Sequence, residues 1–271
     1  MREMIRFASP FPAVTVEDPT GKRHGVVGDL HLGLETAFLR TSPLFSSFLS
    51  QGLIEEVRAF AETYSLESLI ILGDVKHSII RPPLEEKNLV NTLFDVFRAL
   101  DLEVQLVRGN HDPGIQNFIR GLPNVHLSQR PWIELSTSEG GSILIVHGHR
   151  RLPPSTPLPL THIVMGHLHP CVRVTLRSGR PSILRVFLES DALRRGVESD
   201  HSTRIIVLPS FNSLGCYLFS RSDLRKRLAV LRDFDLLEDN TRVFDLANNF
   251  LGDLAFLFRD DSEMSQNVHR Y

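Results

Sequence analysis

The 271-residue chain carries 42% hydrophobic and 23% charged residues and a formal net charge of −2, the make-up of a globular protein large enough to bury its own core without disulfides or a structural metal. No uninterrupted apolar run reaches the roughly 18 residues of a membrane span, and charges break residues 1–7 where a signal peptide needs its apolar stretch. A cytoplasmic protein without membrane partners is the expectation, and so slight a charge argues against a surface that holds long duplex by counterion release, leaving room for a local basic groove.

In chain order, a polar turn at residues 18–22 precedes a short buried strand, 25–28, whose end delivers Asp29-Leu30-His31. Residues 44–64 follow as a helix, with Phe48, Leu49, Leu53, Ile54, Val57, Phe60 and Ala61 at helical spacing. A second strand, 69–72, hands over Gly73-Asp74-Val75-Lys76-His77. A second helix, 84–100, opens behind Pro82-Pro83, and a third strand, 104–107, hands over Gly109-Asn110-His111-Asp112. Alternating strands and helices predict a parallel sheet, whose ligands gather beyond the carboxyl ends of its strands.

From residue 125 the rhythm changes to short strands at 132–135, 142–146, 163–165, 172–176, 182–188, 205–208 and 216–219, which predict a second, mixed sheet. His147-Gly148-His149 follows one of them and Gly166-His167-Leu168-His169 another. Residues 153–159 read as a rigid extended loop, 190–203 as an exposed connection. Residues 242–246 and 254–258 read either as a hairpin across Asn248-Asn249 or as two helical pieces. One domain, 1–259, with a frayed tail, 260–271, is expected, its two sheets packed face to face with helices outside. Cys171 and Cys216, the two cysteines, read as reduced thiols.

Seven oxygen and imidazole groups at these strand ends suit two adjacent divalent ions sharing one carboxylate, a device for attacking phosphate esters. Asp74 is the candidate bridge; Asp29, His31, Asn110, His147, His167 and His169 are the other candidate ligands. Asn110 and His111 support two readings, an amide ligand beside a cationic or acidic imidazole, or a turn that closes the loop. Asp112 reads as a cap for a helical piece over 113–120. His149, Lys76 and Arg150, with Arg81 and Arg151, are candidates for steering a phosphate, against the plainer reading of solvated loop cations. The run 221–227 reads as a solvated face, Trp132 and Phe187 as core, and His24, His126, His162, His201 and His269 as bystanders. With no thiolate offered, Mn²⁺ is favoured, with Fe or Zn the other choices.

This ordered set resembles the calcineurin-like metallophosphoesterase superfamily over roughly residues 24–170. The resemblance implies an α/β class fold, a four-layer α/β/β/α sandwich. One metal would lie on Asp29, His31, Asp74 and His169, the other on Asp74, Asn110, His147 and His167, with His111 as catalytic histidine. The wording of the motifs, with Leu208-Pro209-Ser210-Phe211-Asn212, resembles the archaeal ICC-like phosphoesterases and the bacterial ligase-associated PdeM proteins. His77 sits where SbcD-type repair nucleases carry a histidine that assists cleavage. These likenesses imply a metal-activated water attacking phosphorus in a nucleic acid or nucleotide diester, with helicase or ligase partners. The alternatives are a phosphomonoesterase or small-nucleotide hydrolase, and a non-catalytic scaffold on the same fold.

Overall fold

A computed structural model describes residues 5–38, 43–156, 159–175, 178–195, 202–219, 224, 226–236 and 240–257. Its central strands bury both faces. Val26, Ile70 and Leu72 enter one core while their neighbours Val27, Leu69 and Ile71 enter another, since side chains alternate across a strand. The first sheet runs β1 (Ile5–Phe7), β2 (Val14–Glu17), β3 (Arg23–Val27), β4 (Ser68–Ile71), β5 (Glu103–Leu106), β6 (Val125–Leu127) in that order. β1 to β3 pair antiparallel and β3 to β6 parallel. On its outer face lie α2 (Pro43–Thr63) and α3 (Leu84–Ala99), preceded by the short α1 (Leu34–Phe38). Phe60, Phe94 and Phe97 seal that layer at 0–2% exposure, each contributing roughly 2 kcal/mol by burial. The small α4 (Gln116–Ile119) follows the third motif.

The second sheet consists of β7 (Trp132–Ser136), β8 (Ser142–Val146), β9 (Leu160–Met165), β10 (Pro170–Thr175), β11 (Pro181–Arg194), β12 (Thr203–Val207) and β13 (Tyr217–Leu218). Their order is β13-β10-β11-β12-β9-β8-β7. β14 (Phe234–Leu236) and β15 (Arg242–Asp245) join β11, and β16 (Phe250–Asp253) joins β15. Ile143, Ile145, Val164, Phe187 and Ile206 pack against the first sheet, whereas Leu144, Val146, Ile163 and Ile205 face outward. The outward core is closed by Val230 and Leu231 of a 3₁₀ turn, Ala229–Asp233, and by Leu254 of α5 (Leu254–Leu257). The expected four layers are therefore present, the fourth built among the described residues from short helical pieces. No helix is long and apolar enough to cross a membrane.

Several expectations need correction. Residues 190–194 are not an exposed connection but the end of the 14-residue β11. Ser190 and Ala192 are buried there, Ala192 in the outward core, and Asp191 between them disguised the alternation. The tail forms a hairpin whose turn includes Asn248 at φ 65°, but its second strand is Phe250–Asp253, with Leu254–Leu257 helical behind it. Cys171 and Cys216 are not free thiols: they form a disulfide with Cα atoms 5.7 Å apart, because β10 and β13 pair in parallel next to them. The expected tail 260–271, most of the run 221–227, residues 157–158 and 196–201, and His269 lie outside the described residues.

Candidate active site

Each motif begins where a parallel strand ends, and there the chain turns sharply. Asp29 (φ 57°), His31 (41°), Asp74 (54°), His167 (69°) and His169 (52°) all adopt the left-handed conformation, unusual for residues other than glycine. Each costs about 1–2 kcal/mol, a strain that persists where surrounding bonds enforce it and that concentrates at functional sites. Those bonds are present. Asp29 N and His31 N donate to Gly73 O (3.1 Å) and Asp74 O (2.8 Å), joining the first loop to the second. Gly166 N donates to His147 O at 3.2 Å, joining the last two.

Asp112 is not the helix cap its sequence position suggests. Its carboxylate accepts N–H bonds from Gly109, Asp74 and Val75, so that it braces the second loop against the third. Ser210 and Asn212 hold the first loop from behind. Ser210 Oγ donates to Asp29 O at 2.8 Å, and Asn212 Nδ2 to Leu30 O at 3.0 Å and to the buried Glu35 carboxylate at 2.7 Å. The Leu208 to Asn212 wording marked this segment, but nothing in the sequence signalled Glu35.

Within this frame the candidate ligands converge. Asp74 Oδ2 lies 3.5 Å from His31 Nε2 on one side and 3.4 Å from His147 Nε2 on the other. Asp29 Oδ1 lies 3.2 Å from His169 Nε2, which is itself 3.3 Å from His31 Nε2. Ligand atoms of Asp29, His31 and His169 fall within 4.8 Å of one another, as do those of Asp74, His147 and His167. Asn110 Oδ1 completes the second group at 3.0 Å from His147 Nε2.

The donor set fits divalent cations. His147 Nδ1 donates to Leu72 O at 2.8 Å, which in the neutral ring leaves Nε2 with a lone pair aimed at the oxygens of Asn110 and Asp74. His31 and His169 likewise turn nitrogen toward nitrogen, and the buried Asp29 Oδ1 has no hydrogen-bond partner. Lone pairs converging in a dry site require something positive between them.

Without metal, protons on His147 and His169 supply part of that positive charge. Burial would raise both carboxyls, yet His169 and His147 hold Asp29 at about 2, and His147 with His31 holds Asp74 well below the usual carboxylate range. Burial would strip the proton from His147, but Asp74 and Asp29 raise it to about 9. Burial drives His31 to about 3 and His167 to about 4, so both are neutral at pH 7 and free to act as ligands.

The remaining candidates lie around this centre. His111 Nδ1 lies 2.5 Å from His77 O and its ring 5.7 Å from that of His77. Both imidazoles line a cleft of about 630 Å³ with Ile79, Ile80, Glu85 and Glu86. The His149 ring meets that of His147 edge to face, centroids 5.0 Å apart, and receives a 3.0 Å hydrogen bond from the exposed Arg150 Nε. Lys76 does not face a substrate: it is fully buried, its ammonium donating to the carbonyls of Ser78, Ile79 and His111. Its charge holds the loop after β4 against the third motif.

Comparison with known proteins follows the same lines. No curated protein sequence matches the chain. Among solved structures, the nuclease MPE of Pseudomonas putida superposes with a TM-score of 0.51 at 18% identity, covering 88% of this chain and 90% of that one. YfcE, a phosphoesterase from E. coli, gives 0.41 at 18% identity over 84% and 96%. At such identity the likeness to MPE speaks for the fold. A family model for calcineurin-like phosphoesterases matches residues 23–190, the span that holds all five motifs, and to that family this chain belongs.

Proposed function

We propose that the protein is a phosphodiesterase working with two divalent ions, Mn²⁺ foremost and Fe or Zn otherwise, on nucleotides or nucleic acid. The position of Asp74 Oδ2 between the two Asp/His groups carries this reading. Asp29, His31 and His169 would hold one ion; Asn110, His147 and His167 the other; Asp74 both. Such a pair lowers the pKa of water and neutralises phosphoryl oxygens. His111, its Nδ1 engaged by the His77 carbonyl, keeps Nε2 for a phosphoryl or leaving oxygen, with His77 beside it. His149 and Arg150 stand near enough to the second group to meet another part of the substrate.

The cleft favours a diester over a monoester. Among the described residues its lining includes Glu85 and Glu86 with apolar Ile79, Ile80 and Pro83, and no lysine or arginine. A monoester's second negative charge would be repelled there, whereas a diester brings a single charge. About 630 Å³ suits a nucleotide-sized group, and the lining is not a basic groove for duplex. A helicase or ligase partner belongs to the same proposal through the motif resemblance.

Matched assays on Mn²⁺-reconstituted protein test the reading, with bis-p-nitrophenyl phosphate, p-nitrophenyl phosphate, single-stranded DNA and duplex DNA as substrates. The diester and the single strand are expected to be cleaved fastest. Preference for the monoester would replace diester by monoester chemistry, and inertness toward all four would favour the scaffold.

A further inference from the structure

Between the two sheets, the gap that is apolar at its centre becomes polar at the end remote from Asp74. Val164, Phe187 and Ile206 belong to the inter-sheet core. Two residues away on the same strand faces stand His162, Glu189 and Arg204. His162 and Arg204 pair across the N-terminal halves of β9 and β12, whereas the loops of the metal centre leave the C-terminal ends. From Arg204 to Leu208 the strand advances about 13 Å toward that centre.

These residues line a pocket of about 490 Å³, completed by Arg6 at the exposed edge of β1 and by Arg242, which faces Glu189 in the pairing of β15 with β11. Arg242 Nη2 lies 3.0 Å and Arg204 Nε 3.3 Å from the same oxygen, Glu189 Oε1. Glu189 thus draws two guanidinium groups to one point of the pocket, where Arg204 Nε also lies 3.7 Å from Asp191 Oδ1, and a guanidinium carries five N–H donors in a fork that can hold a carboxylate and a phosphate together. The lining carries three arginines and one carboxylate in a chain whose net charge is negative. Its apolar wall is Phe7 and Phe244, edge to face with centroids 5.4 Å apart. A volume of about 490 Å³ lies in the range of small-molecule sites.

We propose that this pocket is a second binding site, separate from the metal centre, for a mononucleotide-like anion, with phosphate on the arginines and the planar base against Phe7 and Phe244. The site does not depend on the phosphodiesterase reading. β12 leads from it to Ser210 and Asn212, the residues that hold the first motif in place.

Isothermal titration calorimetry of EDTA-treated protein with AMP, and separately with inorganic phosphate, tests the proposal. AMP is expected to bind once per chain and more tightly than phosphate, which leaves the phenyl wall unused. Arg242→Gln is expected to weaken AMP by about tenfold or more, the worth of a charged hydrogen bond. Arg6→Gln, at an exposed position, should weaken it as well and serves as the test if Arg242→Gln fails to fold. AMP binding that survives the substitutions in folded protein, that vanishes instead in His167→Ala, or that is no tighter than phosphate binding overturns the proposal. So does the absence of any AMP binding to the unsubstituted chain.

Discussion

Asp112 Oδ2 accepts the backbone N–H of Asp74 at 2.7 Å across 38 residues of sequence. With Gly109 N and Val75 N on the same carboxylate, each at 3.0 Å, one buried side chain satisfies three donors in two loops. Asp112→Ala orphans all three and is expected to destabilise the fold by about 3 kcal/mol or more. Asp112→Asn keeps one acceptor oxygen and should cost less. Urea unfolding midpoints measure both, and an unchanged midpoint for the alanine variant would remove Asp112 from the frame.

Asp74 and His111 are separable despite their contact. Asp74→Ala removes the oxygen between the two groups, so elemental analysis after reconstitution should find metal lost together with hydrolysis. His111→Ala retains the backbone N–H that Asp74 Oδ1 accepts at 2.7 Å, so metal content should hold. Turnover should fall by about 10²- to 10⁴-fold, the usual worth of an acid–base or charge-stabilising imidazole. Normal turnover in this variant takes His111 out of the mechanism.

How much of this was legible in the chain follows from the range of the interactions involved. β3, β4 and β5, with α2 and α3, announce themselves through local apolar periodicity, and the motifs stand at the ends of those runs. β1 and β2 have only three and four residues, too short for a pattern to show. Lys76 has the composition of a surface cation, and its burial comes from carbonyls that the fold gathers around it, including His111 O. Ser210 reaches Asp29 across 181 residues, and Cys171 reaches Cys216 only because β13 docks beside β10. Such partners are properties of the topology, invisible to any local window.

Metal binding should release protons. Without metal, His147 is raised to about 9, and its charge contributes stability that is fully present below the ordinary histidine pKa of about 6.5 and is lost as pH climbs through 9. A cation on Nε2 displaces that proton. His169 is also raised, by Asp29 against its burial, whereas His31 and His167 are already neutral at pH 7. Mn²⁺ titrations at pH 7 in buffers of different ionisation enthalpy should report about one to two protons released, and affinity should rise with pH toward 9. Heats independent of buffer would contradict the assignment of His147.

The disulfide closes a loop between residues 45 apart that contains β11, β12 and the segment bearing Ser210 and Asn212. Restricting the unfolded chain over that span is worth about 2–4 kcal/mol. Reduction, or Cys216→Ser, should therefore lower the melting temperature. It should also loosen the metal site, because Tyr217 N, next to Cys216, donates to His169 O at 2.9 Å. Differential scanning calorimetry with and without reductant checks the first effect, metal retention through gel filtration the second. Equal melting temperatures in both redox states would show that β10 and β13 hold without the bond.

Gly166 and Gly109 are required by proximity and not by backbone conformation, since neither has a positive φ. A Cβ at Gly166 would meet Asp29 Oδ2 at 2.5 Å, the oxygen that accepts the N–H of His167. At Gly109 a Cβ would approach within 2.5 Å of Asp74 and collide with its carboxylate and its backbone nitrogen. At Gly166 the Asp29 carboxylate is what must move, whereas at Gly109 the backbone at Asp74 must shift together with its carboxylate. Gly166→Ala is thus expected to displace Asp29 and empty the first metal group, with Asp74 still able to serve the second. Gly109→Ala should disturb both. Circular dichroism should show the fold retained while elemental analysis shows about one equivalent of metal lost in the first variant and more in the second. Full metal content in Gly109→Ala would mean that Asp74 is not the shared ligand.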